Sequence, residues 1–251
     1  DGFHNIDSCF LPIPLCDVLE VKKQLASIKE TKVTYSGFNR NYIENDLVMR
    51  AYHILKNDFS LGPIRVHLHK NIPFGAGLGG GSSDGAFMLI ILNKLFHLNL
   101  SELQLFNYAK TLGSDCPFFI INRVSHVSSV GDVVKPIDFS LKDYCIVILK
   151  SSITCSTKHI FSQYKINKRR NQALNFNRTP QYWKKEFINE LESVAFSLYP
   201  ELKEIKNYLY SQGALYVSMS GSGSAIYGVF EQKPEINKTL DYWIWEGCSL
   251  G

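Results

Sequence analysis

The chain has 251 residues, 45% of them hydrophobic and 20% charged, enough for one large or two ordinary domains each with its own core, which excludes a disordered chain. A net charge of +4, with lysines and arginines spread out apart from Lys168-Arg169-Arg170, gives little support to a nucleic-acid or membrane surface and suits an anionic small substrate. The six cysteines (Cys9, Cys16, Cys116, Cys145, Cys155, Cys248) form no C-x-x-C pair, which argues against a zinc site or disulfide framework and predicts reduced, buried thiols.

The opening, Asp1-Gly2-Phe3-His4-Asn5-Ile6, reads as a turn leading into a strand whose partner lies upstream of residue 1. Further on, Ile64, Val66 and Leu68 alternate with Arg65, His67 and His69, the period of a half-buried strand. His67 and His69 on its polar face read as solvated side chains rather than metal ligands. Next comes Pro73-Phe74-Gly75-Ala76-Gly77-Leu78-Gly79-Gly80-Gly81-Ser82-Ser83, and then a proline-free apolar stretch from Asp84 to His97, predicted as a helix buried at Phe87, Leu89, Ile90, Leu92 and Leu95. Its longest apolar run, Ala86 to Leu92, is far too short to span a bilayer, and no signal-like leader is visible; a soluble cytoplasmic protein is expected.

Strand, glycine turn and helix in that order make a phosphate cradle. Glycine lets backbone N–H groups approach a polyanion closely, and the helix N-terminus adds orphan donors and partial positive charge. Ser82 and Ser83 can cap those donors or give hydroxyls to phosphate. A Walker A loop needs a lysine after its last glycine, and a serine stands there. Gly75, Gly77 and Gly80 fit G-x-G-x-x-G, but no second strand ending in an acid follows. Instead Ser101-Glu102-Leu103-Gln104 reads as a capping box opening a second helix, with Gly113 as its C-terminal glycine.

That helix leads into Ser114-Asp115-Cys116-Pro117 and an apolar stretch, Phe118-Phe119-Ile120, predicted as a strand. An aspartate there can accept the proton of an attacking hydroxyl in phosphoryl transfer, though Asp-x-Pro taken alone reads first as a turn or cap. A buried strand at Tyr144 to Leu149 begins a new stretch, so domains are expected at 1–142 and 143–251. The polar, basic stretch from Tyr164 to Thr179 reads as a mobile insertion, followed by helices from Trp183 to Phe196 and from Glu201 to Gln212. Ala214 to Phe230 is a hairpin around Ser220-Gly221-Ser222-Gly223-Ser224, and in a chain that already has one glycine and serine loop, a second can close on the same phosphates.

The phosphate loop, the Asp115 segment and the Ser220 to Ser224 turn resemble, in order, the three motifs of the GHMP kinases, and the likeness runs over almost the whole chain. Asp1-Gly2-Phe3-His4, the triple glycine and Asn189-Glu190-Leu191-Glu192 narrow it to the branch that phosphorylates the 2-hydroxyl of a cytidyl-diphosphate sugar alcohol in non-mevalonate isoprenoid synthesis. The resemblance implies an α+β fold in two lobes, the first like ribosomal protein S5 domain 2 and the second ferredoxin-like. It implies ATP held by Pro73 to Ser83, Asp115 as catalytic base, and closure by Gly221, Ser222 and Gly223. Phe3 would stack on cytosine, His4 would hydrogen-bond the base, and Thr157 and Phe161 would lie on the substrate side, Phe161 having the alternative reading of a core aromatic at the end of a strand. Mg2+ is expected with the phosphates, with Ser83 a candidate ligand and the metal site otherwise unassigned. The family's catalytic lysine falls just upstream of Asp1. A monomer or homodimer is expected, with no nucleic-acid partner. Another GHMP kinase, acting on mevalonate, homoserine or a sugar, or a non-catalytic nucleotide- or RNA-binding relative, remains the alternative.

Overall fold

The computed structural model describes residues 4–25, 27, 30–38, 46–165, 178–237, 239 and 241–248. Phe3, Lys168-Arg169-Arg170 and most of the predicted insertion between Tyr164 and Thr179 lie outside the described residues. The chain divides into two compact units, one formed by 1–73 with 79–137, the other by 74–78 with 138–251. Among the described residues no helix is long and apolar enough to cross a membrane.

The first unit carries strands β1 (Ile6–Phe10), β2 (Val18–Lys23), β3 (Lys32–Gly37) and β4 (Ile64–Lys70), with helix α1 (Leu47–Phe59) between the last two. Helices α2 (Gly80–Phe96), α3 (Glu102–Leu112) and α4 (Cys116–Ile121) follow, then strands β5 (Ser125–Ser129) and β6 (Val133–Pro136). One sheet runs β2-β4-β3, with β4 antiparallel to β2 and parallel to β3; a second, antiparallel, runs β1-β5-β6. On β4 the alternation holds: Ile64, Val66 and Leu68 are buried, while His67 and His69 join Thr34 and Ser36 of β3 in a hydrogen-bonded ladder rather than standing free in water. Asp46 caps α1 by accepting the Val48 N–H at 3.0 Å, and Val48, Ala51, Tyr52 and Leu55 recur at the spacing of one helical face to meet Met88, Leu89 and Leu92 of α2 in the core.

Three expectations change here. Helix α2 begins at Gly80, four residues earlier than predicted, so the last two glycines and both serines lie in its first turns. Its buried face runs through Ala86, Met88, Leu89 and Leu92, leaving Phe87 37% exposed. The capping box of α3 is present, but Gly113 ends that helix with an extended backbone (φ 173°), so no left-handed residue is required there. Residues 116–121 are helical rather than a strand: a short apolar run does not declare its own period, and Pro117, lacking an N–H, suits a first helical turn.

The second unit holds an antiparallel sheet in the order β10-β7-β9-β8, built from β7 (Cys145–Lys150), β8 (Tyr216–Met219), β9 (Ile226–Phe230) and β10 (Trp243–Gly247). The predicted hairpin is β8 paired with β9, and the tail returns as β10 to pair with β7. Helices α5 (Thr157–Gln163), α6 (Glu192–Leu198) and α7 (Pro200–Ser211) accompany it, α7 placing Leu202, Ile205 and Leu209 in a core with Val147, Leu149, Val217 and Ile226. The helix predicted from Trp183 to Phe196 is divided into a 3-10 turn at Pro180–Lys185 and α6. The break follows from Asn189, whose carboxamide oxygen accepts the Leu191 N–H at 3.0 Å while its nitrogen donates to two distant carbonyls. All six cysteines are free thiols, Cys116 and Cys155 buried as expected but Cys16 and Cys248 exposed at the surface.

Candidate active site

The glycine run is a loop with two different halves. Gly75, Gly77 and Gly79 have φ of 60°, 72° and 70°, so every second residue is left-handed, a conformation that disfavours any side chain. At Gly77 a Cβ would also drive into the Ser220 carbonyl, and at Gly79 it would lie 2.8 Å from the Phe119 ring. The loop carbonyls are consumed within the second unit: Ser224 N–H donates to Gly75 O (3.1 Å), Ala225 N–H to Ala76 O (3.0 Å) and Ser220 hydroxyl to Gly77 O (2.8 Å).

The half that opens α2 behaves differently. Gly79 is the N-cap, without any side-chain cap, and the first helical bond is Ser83 N–H to Gly79 O at 2.8 Å. The amides of Gly80, Gly81 and Ser82 therefore precede the ladder and donate to no backbone carbonyl in it, and neither serine caps them. A Cβ on Gly81 would meet nothing within 4 Å. Seventeen residues of helix dipole stand behind these donors, which makes their end of α2 attractive to an anion.

Asp115 stands at the N-cap of α4 but does not cap it. Its Oδ1 accepts the Ser114 hydroxyl at 3.3 Å, and burial raises its pKa above the usual carboxylate range, the Ser114 bond opposing that only in part. A hydrogen bond between Ser82 and the Cys116 thiol ties the residue after Asp115 to the first turn of α2. The turn between β5 and β6 contributes Gly131 (φ 102°), where a Cβ would lie 3.4 Å from the Asp115 carboxylate. A glycine there leaves room beside the acid. A half-buried carboxylate with a raised pKa can take a proton from an alcohol, and free amides at a helix mouth can hold phosphate oxygens.

In the second unit, the turn Gly221-Ser222-Gly223 is tied to α5 by a 2.8 Å hydrogen bond between the Thr157 and Ser222 hydroxyls. Asn189 donates to Met219 O (2.9 Å) and Gly221 O (2.7 Å), and Glu192 accepts the Met219 N–H (2.8 Å) and pairs with Lys206. Phe161 lies half-buried on α5, a helix rather than a strand end. His4 lies half-buried two residues ahead of β1. Pro73 and Ala76 are buried; Phe74 is 44% exposed and Leu78 half-buried. Among the described residues no three His, Cys, Asp or Glu side chains gather as a metal site.

Sequence reading missed Gly131 and the bracing role of Asn189. The first is an isolated glycine with no motif around it. The second was visible as Asn-Glu-Leu-Glu, but inside a stretch that otherwise reads as continuous helix.

Residues 46–123 match the GHMP kinases N terminal domain and residues 172–244 the GHMP kinases C terminal domain. A protein of Azobacteroides pseudotrichonymphae called 4-diphosphocytidyl-2-C-methyl-D-erythritol kinase is 44% identical over 92% of this chain and 86% of its own length. A kinase of the same name from Bacteroides thetaiotaomicron is 43% identical over 95% and 88%. Among solved structures, a 4-(cytidine 5'-diphospho)-2C-methyl-D-erythritol kinase superposes with a TM-score of 0.75 at 30% identity, covering 90% of this chain and 81% of that one. Homoserine kinase from Cytophaga hutchinsonii shares the fold at a TM-score of 0.68 and 14% identity, covering 98% and 94%.

Proposed function

This chain belongs to the 4-diphosphocytidyl-2-C-methyl-D-erythritol kinases within the GHMP kinase family, and from that premise we propose that it transfers the γ-phosphoryl group of ATP to the 2-hydroxyl of 4-diphosphocytidyl-2-C-methyl-D-erythritol. The single observation that supports the site assignment is the set of first-turn amides of α2, unpaired with any helix carbonyl and tied through Ser82 to the residue after Asp115.

In this mechanism Pro73 to Ser83 take the triphosphate, the amides of Gly80, Gly81 and Ser82 compensating phosphate charge. Asp115 accepts the proton of the attacking hydroxyl as the oxygen–phosphorus bond forms and the bond to the leaving ADP oxygen breaks. Burial raises its pKa, which makes it a stronger proton acceptor for that task. Positioning and electrostatics supply most of the acceleration. Mg2+ usually comes with the phosphates and needs few protein ligands; the serine hydroxyls at the start of α2 fit that modest demand, and Ser83 is the one we assign. When bound, the ion would neutralise phosphate charge.

Phe3 and His4 are assigned to the cytosine ring by resemblance, with Thr157 and Phe161 on the substrate side. Gly221, Ser222 and Gly223, tied to Thr157 through Ser222, are assigned by resemblance to phosphate-loop closure. Supply to isoprenoid synthesis and a cytoplasmic setting follow from the same reading.

The test is turnover of the full chain with ATP and each of four alcohols: the cytidyl-diphosphate methylerythritol, mevalonate, homoserine and galactose. Product phosphorylated at the 2-hydroxyl is expected from the first alone. Preferential use of any of the others would overturn the substrate assignment.

A further inference from the structure

Lys70, the last residue of β4, is 2% exposed, and its ammonium lies between two carboxylates that are almost as buried, Asp17 and Asp84. It donates to Asp17 Oδ2 and, at 2.5 Å, to Asp84 Oδ2. Taking three charges out of water is expensive, and apolar side chains of similar volume hold a core together equally well or better, so folding alone gives no reason for this cluster.

Its connections supply one. The second oxygen of Asp17 accepts the backbone N–H of Asn71 (2.6 Å) and of Ile72 (2.8 Å), the two residues that lead into Pro73. Asn71 in turn donates its carboxamide to Cys16 O at 3.0 Å, which fixes the same segment from its other side. Asp84 lies on α2, just past the free amides of Gly80, Gly81 and Ser82. Between these anchors, the Ile72 side chain occupies the space a Cβ at Gly80 would need, 2.9 Å away. One ammonium thus joins the strand that enters the phosphate loop to the helix that leaves it.

We propose that Lys70, Asp17 and Asp84 are positioning residues for phosphoryl transfer, a buried clamp that holds both ends of the glycine loop at fixed separation so that the α2 amides are set before the triphosphate arrives. Donors ordered in advance avoid the entropy of ordering during binding, which is the benefit such a cluster gives in exchange for its burial. This rests on the reading of Pro73 to Ser83 as the ATP loop.

The test uses the full chain and measures KM for ATP and for the alcohol substrate separately. Asp84→Ala removes the Lys70 to Asp84 ion pair and with it the tie to the start of α2. KM for ATP is expected to rise about tenfold, the effect of losing a single interaction of ~1.4 kcal/mol, while KM for the alcohol stays within twofold. Asp84→Asn keeps an oxygen able to accept from Lys70, and is expected to restore KM for ATP to within about threefold of the parent. A lowered melting temperature with no change in either KM, or an equal rise in both, would overturn the proposal. Should Asp84→Ala not fold, the ATP-to-alcohol KM ratio of Asp17→Ala, which removes the acceptor for the Asn71 and Ile72 amides, decides: a rise supports the clamp, an unchanged ratio refutes it. Gly81→Val separates the two readings, because its side chain enters open space on the loop itself. If it weakens ATP binding while the Asp84 variants do not, only the clamp fails; if it also leaves ATP binding untouched, the phosphate-loop assignment fails with it.

Discussion

Two glycine and serine loops look alike on paper, Gly75 to Ser83 and Ser220 to Ser224, and in the folded chain they do opposite things with their polar groups. The second turns them on the rest of the protein: Ser224 and Ser220 bind the carbonyls of Gly75 and Gly77, the adjoining Ala225 binds that of Ala76, Ser222 bonds Thr157, and the carbonyl of Gly221 is taken by Asn189. The first gives up carbonyls to that brace but keeps the amides of Gly80, Gly81 and Ser82 free at the mouth of α2. Composition identifies a loop that can bend; only the bonding decides whether it offers donors to a ligand or holds another loop in shape.

The largest effect expected concerns Asp115, the base we propose. Asp115→Asn should lower kcat by ~10²–10⁴ while affinity for a non-hydrolysable ATP analogue stays within about threefold, since charge is lost at the proton acceptor and not at the phosphates. Isothermal titration beside steady-state turnover checks both halves. Parallel loss of binding would mean that Asp115 shapes the loop.

Next, one methyl group placed on each half of the first loop should separate bracing from offering. Gly77→Ala forces a side chain into the Ser220 carbonyl at φ 72° and should destabilise the protein by roughly 1–3 kcal/mol, read as a lower melting temperature. Gly81→Ala meets no neighbour and sits in a helical turn, so it should leave stability unchanged or raise it by about 0.5–1 kcal/mol while weakening ATP binding.

A comparable effect on stability should come from the brace of the second loop. Asn189→Ala strips two carbonyls, at Met219 and Gly221, of their donor, and ~1–3 kcal/mol of stability should go with them, measured by denaturant melts. Turnover should fall less than in Asp115→Asn.

A change in slope with pH is also expected. Because the fold raises the Asp84 carboxyl from 3.8 to about 7, the native state binds the proton more tightly than the unfolded chain does. The stability this gives is complete below about 4 and is lost as pH rises toward 7. Asp84→Asn, which cannot ionise, should show a flatter melting profile over that window, its melting temperature gaining on the parent by roughly 2–4 °C for each kcal/mol recovered. A parallel pair of profiles would mean the carboxyl is not raised.

How much of this was legible beforehand follows from the range of each interaction. Strand β4 and the hairpin of β8 and β9 were readable because alternation and turn residues are local signals, and the capping box of α3 is written within four residues. Asp115 and the glycine loop could be named because their residue types are rare in that order. The start of α2 was misplaced because glycine runs suppress helix prediction, whereas here the triple glycine is the first turn. The helix of residues 116–121 was misread because six apolar residues carry no period. Lys70, Asp17 and Asp84 stayed invisible as a group: the three come from β4, the approach to β2, and α2, and nothing in a linear chain announces that they meet.

The central claim is that the first-turn amides of α2 receive the triphosphate. It is tested most directly by titrating a non-hydrolysable ATP analogue with Mg2+ into chain labelled with ¹⁵N at glycine and serine. The amide protons of Gly80, Gly81 and Ser82 should move furthest and downfield, with smaller shifts at Gly221, Ser222 and Gly223. Saturating binding that leaves the three α2 amides where they were would contradict it.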